Sequence, residues 1–366
     1  NNKFKLLKLN KRYGKSNFPN VKLVNMKKEF YSNNNSIIST KLLDAINNCI
    51  IKSEQIIILQ NRRGYSRVHQ CLECGEIKMC KKCSVALTYH QSDNKLHCHY
   101  CNLVTEKLLN CLSCNSENLV FNGSGTQQVE EILNKNFPNA KILRMDLDTV
   151  KKKNSLPKIL KTFSDKKADI LLGTQMIAKG LDFENVTLVG IINADSGLFF
   201  PDFRAGERVF QLIYQVTGRA GRRNKLGQAI IQTYNPNDIY IQTASMLDIR
   251  KFYNIALAHR KELNYPPFSR IARILIFGKN KSNVEKISIN IKQRLNMKKH
   301  FTILGPSFAP IEKISDNWRN HIIIKTNNKK MRGIQELIKQ SIGYAIFERK
   351  WNGVKIQIDI DPVSLL

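Results

Sequence analysis

The chain has 366 residues, too many for one ordinary domain and suited to two or three. Hydrophobic residues make up 42%, enough to bury real cores and too many for wholesale disorder. The 59 Lys and Arg against 29 Asp and Glu leave a net charge of +30, which attracts polyanions, nucleic acid first among them. Lys, Asn and Ile are over-used even in loops, however, so drifting composition explains the same excess, and the charge permits nucleic-acid binding without proving it. No apolar run approaches the roughly 18 to 20 residues of a bilayer span. The opening stretch from Asn1 to Lys15 is rich in Lys and Asn and has no apolar core, so the expectation is a soluble, cytoplasmic chain without membrane contact.

In chain order, residues 1–36 read as a connecting arm or the remnant of a preceding domain. An amphipathic segment from Ser39 to Ile50 leads into the buried-strand run Gln55 to Gln60. The cysteines come next: eight of the nine lie between residues 71 and 114, as Cys71/Cys74, Cys80/Cys83, Cys98/Cys101 and Cys111/Cys114. Without an export signal, such CxxC pairs read as zinc ligands and not as disulfides, because two intervening residues let a tight turn aim both sulfurs at one ion. Eight thiolates make two all-cysteine sites. Ser84 to His90, a short turn, and Lys95 to His97 read as a hairpin that brings the second and third pairs together. The expected arrangement is therefore nested: Cys80, Cys83, Cys98 and Cys101 on one zinc, and Cys71, Cys74, Cys111 and Cys114 on the other. Full thiolate shells leave no open position, so both zincs are expected to be structural, and a metalloenzyme reading is weak. His97 and His99 flank a ligand and read as outer or surface residues; Cys49 reads as a buried apolar thiol.

Beyond the cysteines, Leu119 to Phe121 is a short strand. Ser124 and Gln127 stand at capping-box spacing ahead of a helix that runs to Phe137. A strand at Ala140 to Met145, a helix at Leu156 to Phe163, continuous apolar strands at Asp169 to Leu172 and Val186 to Asn193, a helix at Arg208 to Val216 and a strand at Gln228 to Thr233 come after it. The alternation predicts an α/β fold with a mostly parallel sheet covered on both faces. From about Lys251 the pattern changes to a smaller α+β domain. The expected organisation is an arm (1–36), one α/β lobe in two pieces (37–66 and 117–250), a zinc-binding insertion (67–116) and a C-terminal domain (251–366).

Two segments carry chemistry. Gly173-Thr174-Gln175-Met176-Ile177-Ala178-Lys179-Gly180-Leu181-Asp182 stands at the carboxyl end of a strand, where open α/β sheets bind ligands. Small residues at 173 and 174 would let amides and a hydroxyl approach a phosphate at a helix N-terminus, and Asp182 would accept from a ribose. Gln215-Val216-Thr217-Gly218-Arg219-Ala220-Gly221-Arg222 comes after a helix and offers two guanidiniums three residues apart, expected to face a nucleotide at the carboxyl edge of the sheet. Taken singly, the first is an ordinary strand-to-helix turn and the second a solvated basic loop; their weight is joint.

These two segments resemble motifs V and VI of superfamily 2 helicases. Asn61-Arg62-Arg63-Gly64-Tyr65, Asp202-Phe203-Arg204 with Glu207-Arg208, Leu304-Gly305-Pro306 and Asp359-Ile360-Asp361-Pro362, together with the eight cysteines, narrow the resemblance to the bacterial primosomal replication-restart helicases. It extends from about Leu7 to Pro362. It implies the second RecA-like helicase lobe, a two-zinc ribbon insertion and an α+β C-terminal domain. The implied activity is ATP-driven 3′-to-5′ unwinding at stalled or branched forks, with single-stranded and forked DNA, primosome proteins and single-strand-binding protein as partners, in a cytoplasmic, nucleoid-associated setting. By position Arg222 matches the arginine finger, Arg219 its neighbour and Gln215 the first motif VI residue, while Gly173, Thr174, Gly180 and Asp182 match motif V. ATP and Mg belong to the complete enzyme. This sequence has no G-x-x-x-x-G-K-[ST] loop, since Gly14-Lys15-Ser16 has Leu9 where glycine is required, and it has no Asp-Glu pair. A fragment lacking the first lobe, inactive alone, is the leading expectation. The rival is a non-enzymatic zinc-bearing DNA-binding or primosome-scaffold protein.

Overall fold

The computed structural model describes residues 18–31, 36–60, 68–71, 78–81, 87–90, 93–98, 103–117, 119–122, 125–146, 149–150, 154–178, 182–198, 202–221, 225–295, 301–326, 335–336, 338, 340, 342 and 353–365. Its elements are β1 (Asn20–Asn25), α1 (Met26–Tyr31), α2 (Thr40–Ile51), β2 (Gln55–Gln60), β3 (Val68–Cys71), β4 (Thr88–His90), β5 (Lys95–His97), β6 (Val104–Glu106), β7 (Leu119–Asn122), α3 (Thr126–Asn136), β8 (Ile142–Met145) and α4 (Ser155–Ser164). They continue as β9 (Ile170–Gly173), β10 (Val186–Ile192), α5 (Ala205–Thr217), β11 (Gln228–Thr233), α6 (Ile239–Ser245), α7 (Ile249–Glu262), β12 (Arg270–Gly278), α8 (Lys281–Leu295), β13 (Thr302–Ile314), β14 (Asn317–Thr326) and β15 (Lys355–Ile360). The chain divides into two compact units: 1–64 with 124–252, and 65–123 with 253–366.

The first unit is built on a six-stranded sheet in the order β1-β11-β10-β2-β9-β8, every pair parallel. The continuous apolar runs reflect that topology, because a strand between two layers of helix must be apolar on both faces. Ile56, Ile58, Ile170 and Leu172 share one core with Leu42 and Ile46 of α2 and Val129 and Leu133 of α3. Ile57, Leu59, Leu171, Val189 and Ile191 alternate to the opposite face and are buried as well. Gln55, a polar residue buried at the head of β2, gives its amide to Phe163 O at 2.7 Å and Ala168 O at 2.9 Å. Ser39 caps α2, its hydroxyl accepting from Leu42 N at 3.2 Å.

One expectation is corrected here. The arm at residues 1–36 contains β1, which pairs with β11 from Asn20↔Gln228 to Asn25↔Thr233, so residues 20–25 belong to the sheet. The lone Val24 buried in that strand gave too weak a period to read. The N-cap of α3 is Gly125, with no side-chain cap; Ser124, the first member of the expected capping box, lies outside the described residues.

The second unit is antiparallel. Five short strands in the order β6-β5-β4-β3-β7 form the cysteine-rich sheet, and β13-β14-β12-β15 form a second sheet covered on one face by α8. Ala272, Ile274 and Ile276 of β12 meet Val284, Ile291 and Leu295 of α8 and Ile322 and Ile324 of β14. Leu304-Gly305-Pro306 is a register shift in β13, with Gly305 at φ +96° pressed to 2.7 Å from the His321 carbonyl for any added Cβ. Asp361 closes β15 onto β12, its amide donating to Ile271 O at 2.8 Å and its carboxylate gripping Arg270. The sequence reading separates the cysteine-rich block from the C-terminal domain; the structure groups them in one unit, with Ile314 against the cluster of Cys80, Leu87, Leu96 and Cys98, and Lys313 Nζ donating to Lys81 O at 3.3 Å.

Candidate functional site

The two helicase-like segments lie in the first unit. Gly173 ends β9 opposite Met145 of β8. A Cβ at 173 would strike the Met145 carbonyl and come within 2.8 Å of Ile177 Cγ2, so close strand packing demands the glycine. β9 leads into a four-residue 3₁₀ turn, Gln175–Ala178, with Thr174 O accepting from Ile177 N at 3.1 Å. Among the described residues the segment after β9 forms only this short turn, which aligns few peptide dipoles. Asp182 is exposed beyond it, and Gly180 lies outside the described residues.

α5 begins beyond the carboxyl end of β10 and runs back along the sheet, burying Val209, Phe210, Ile213 and Val216 and leaving Gln215 exposed. At its N-terminus Asp202, its side chain fully buried, accepts from Arg204 N at 3.0 Å and pairs with Arg204 and Arg208 at 3.4 and 3.1 Å. The Asp202-Phe203-Arg204 motif therefore anchors the helix start, with the Arg204 guanidinium 4.1 Å over the Phe203 ring.

The turn after α5 overturns one expectation. Gly221 N donates to Val186 O at 3.0 Å, and Val186 is the first residue of β10; Gly227, just before β11, lies against Ala220 and Gly221. The turn bearing Arg219 thus stands at the amino end of the strands, not at their carboxyl edge. The reason is topological: a crossover helix that leaves one parallel strand must return to the start of the next. The two motifs nevertheless meet. Arg219 Nη2 donates to Ala178 O at 2.7 Å, tying the arginine turn to the segment after β9. Arg222 lies outside the described residues.

The same end of the sheet carries a polar network that sequence reading missed. Lys225 Nζ lies 2.9 Å from Asn185 Oδ1 and 3.4 Å from Glu54 Oε1; Glu54 Oε2 accepts from Thr187 Oγ1 at 2.7 Å, and Asn185 Nδ2 donates to Ser53 O at 3.1 Å. Cys49 Sγ lies 3.6 Å from Thr187 Oγ1, and burial pushes its thiol up.

In the cysteine-rich sheet, β4 and β5 form the anticipated hairpin, with Thr88↔His97 at its open end next to Cys98. Cys80 and Cys98 are buried in one cluster with Leu87 and Leu96. Cys71 is opposite Leu119 in the β3–β7 pair. Cys111 opens a tight turn in which Ser113 N donates to its sulfur at 3.4 Å and Asn115 N to its carbonyl at 3.0 Å. His97 pairs with Asp93 at 2.6 Å. The side chains of Cys71, Cys74, Cys83 and Cys101 lie outside the described residues, as does His99, and among the described residues no group of three ligands assembles. Among them, too, no helix is long and apolar enough to cross a membrane.

Family models match three stretches: the primosomal protein N C-terminal domain at 261–363, the helicase conserved C-terminal domain at 103–224 and the PriA DNA helicase Cys-rich region at 80–105. Curated relatives match along nearly the whole chain. The replication restart protein PriA of Bacillus subtilis is 41% identical over 99% of the chain and 45% of its own length. Those of Borreliella burgdorferi and Synechocystis are 39% and 38% identical, over 100% and 98% of the chain and 54% and 43% of their own lengths. The chain belongs to the PriA family. It spans about half the length of the PriA relatives it matches. The PriA Cys-rich match ties the region around Cys80, Cys98 and their hairpin to zinc binding.

Proposed function

We propose that this chain forms the second motor lobe, the zinc module and the C-terminal domain of an ATP-dependent 3′-to-5′ helicase that recognises stalled or branched forks and restarts replication. Family membership supports the reading, and one observation carries it: Arg219 bonds the backbone of the segment after β9, so the two motifs form one mechanical unit. A motor lobe needs such a joint, because the arginines answer to the nucleotide while the partner segment answers to the DNA backbone. Arg222 takes the arginine-finger role, Arg219 and Gln215 support it, and Thr174 and Asp182 act with Gly173 and Gly180 in coupling. ATP and Mg are held by a P-loop lobe of the kind this sequence lacks. A guanidinium at a transferring phosphoryl group is worth ~10³ or more in rate.

Two structural zincs take the nested ligand sets, Cys80, Cys83, Cys98 and Cys101, and Cys71, Cys74, Cys111 and Cys114. The shared burial of Cys80 and Cys98, and the register that sets Cys71 five residues from Cys114 across the β3–β7 pair, support that pairing. Single-stranded and forked DNA, primosome proteins and single-strand-binding protein are the proposed partners, in a cytoplasmic, nucleoid-associated setting.

The test is reconstitution. This chain alone shows no DNA-stimulated ATP hydrolysis, and joining it to a P-loop lobe of the family restores it. In the joined enzyme Arg222→Ala lowers turnover about 10³-fold while the Kd for forked DNA stays within about twofold. Turnover that survives the substitution sinks the assignment and leaves the scaffold reading, for which the +30 charge speaks.

A further inference from the structure

The arginine turn is fastened to the amino edge of the sheet at three points. Gly221 N is bonded to Val186 O, Gly227 O accepts from Asn20 N at 2.8 Å, and between these the Lys225 ammonium reaches two acceptors that flank the starts of β2 and β10, Glu54 and Asn185. Neither acceptor is a chance neighbour. Glu54 is held from the other side by the Thr187 hydroxyl at 2.7 Å, and Asn185 is fixed by its amide on Ser53 O and by its carbonyl, which accepts from Gln55 N at 2.9 Å. A lysine in a basic surface loop ordinarily extends into water; this one, with its side chain 45% exposed, folds back onto a carboxylate only 20% exposed.

We propose that Lys225 and Glu54 form a latch that positions the arginine turn, making both of them positioning residues for the motor reaction. This rests on the motor reading above. The latch does not touch nucleotide; it fixes the height and angle at which the turn leaves the sheet, and a guanidinium that must meet a phosphoryl group is sensitive to displacements of about 1 Å. Without it, the backbone bonds at Gly221 and Gly227 are left to hold the two ends of the turn.

The experiment compares Lys225→Met, Glu54→Gln, the double variant and Lys225→Arg in the enzyme joined to a P-loop lobe, with Arg219→Ala as reference. The expected result is a loss in kcat of about tenfold for each single variant, no further loss in the double variant, an unchanged KM for ATP, an unchanged Tm, and recovery with Lys225→Arg. In this chain alone, Lys225→Met should speed hydrogen exchange in a peptide covering residues 218–227 while β10 and β11 stay protected. Unchanged kcat in the latch variants, with turnover lost in Arg219→Ala, overturns the latch and spares the motor reading. Turnover retained in Arg219→Ala and Arg222→Ala overturns the motor reading itself. Additive losses in the double variant, or losses that track a fall in Tm, mean that the pair acts separately or only structurally and likewise overturn the latch.

Discussion

Glycines that read as ligand-facing can be there for backbone reasons. Gly173 and Gly221 both sit inside motif-like runs, and both have packing duties: Gly173 against the Met145 carbonyl, and Gly221, at φ +66°, against the backbone of Gly227. Sequence spacing singles them out but is silent on the neighbour that needs them bare, because that neighbour is 28 residues away in one case and arrives on another strand. Gly221→Ala adds a Cβ in the left-handed region as well as a backbone collision, so it should cost about 1–3 kcal/mol and lower Tm by several degrees. A thermal scan checks this; an unchanged Tm would mean that the turn accommodates the methyl. Lys225 shows the converse. Nothing in its sequence neighbourhood marks it, since its partners lie 40 and 171 positions back and a basic residue in a basic loop has no distinguishing pattern.

Among elements, the strands of the parallel sheet were the most legible, since Ile56 to Leu59, Ile170 to Leu172 and Leu188 to Ile192 are runs without polar side chains, buried on both faces. α5 was legible as an amphipathic helix, but its direction across the sheet was not, and direction decides which edge receives the arginines. β1 was lost because an edge strand with one buried residue has almost no period. α6 and α7 went unassigned in a stretch with no strong signal of its own. The hairpin of β4 and β5 was predicted from alternation and a polar turn and is present. Among the described residues its buried cluster is Cys80, Leu87, Leu96 and Cys98, a small core of the kind that a bound metal ordinarily supplements. Stripping zinc with a chelator should therefore melt this sheet, with exchange protection lost in β4 and β5 and kept in β2, β9 and β10. Protection that survives complete metal removal, confirmed by elemental analysis, would show that the proposed zincs are dispensable for the fold.

The chain divides into two compact units of different construction, one built on a parallel sheet packed against helices and one that combines the cysteine-rich strands with an α-covered antiparallel sheet. Its charge belongs to this scale, since +30 is a sum over the entire chain. If DNA is the partner, affinity for forked DNA should fall at least 10³-fold between 50 and 200 mM salt, as expected for about six or more phosphates neutralised. A shallow slope would assign the excess to composition alone. The amino-acid sequence by itself determined the α/β class and the cysteine module, because both are written in local spacing and periodicity that folding does not alter, and it carries the motifs on which the resemblance to the family rests. Only the tertiary structure decided that the arginine turn stands at the amino end of the strands, that Arg219 joins the two motifs and that Lys225 reaches Glu54. Those facts depend on which way a crossover helix runs and on contacts between residues far apart in the chain, and neither leaves a local trace.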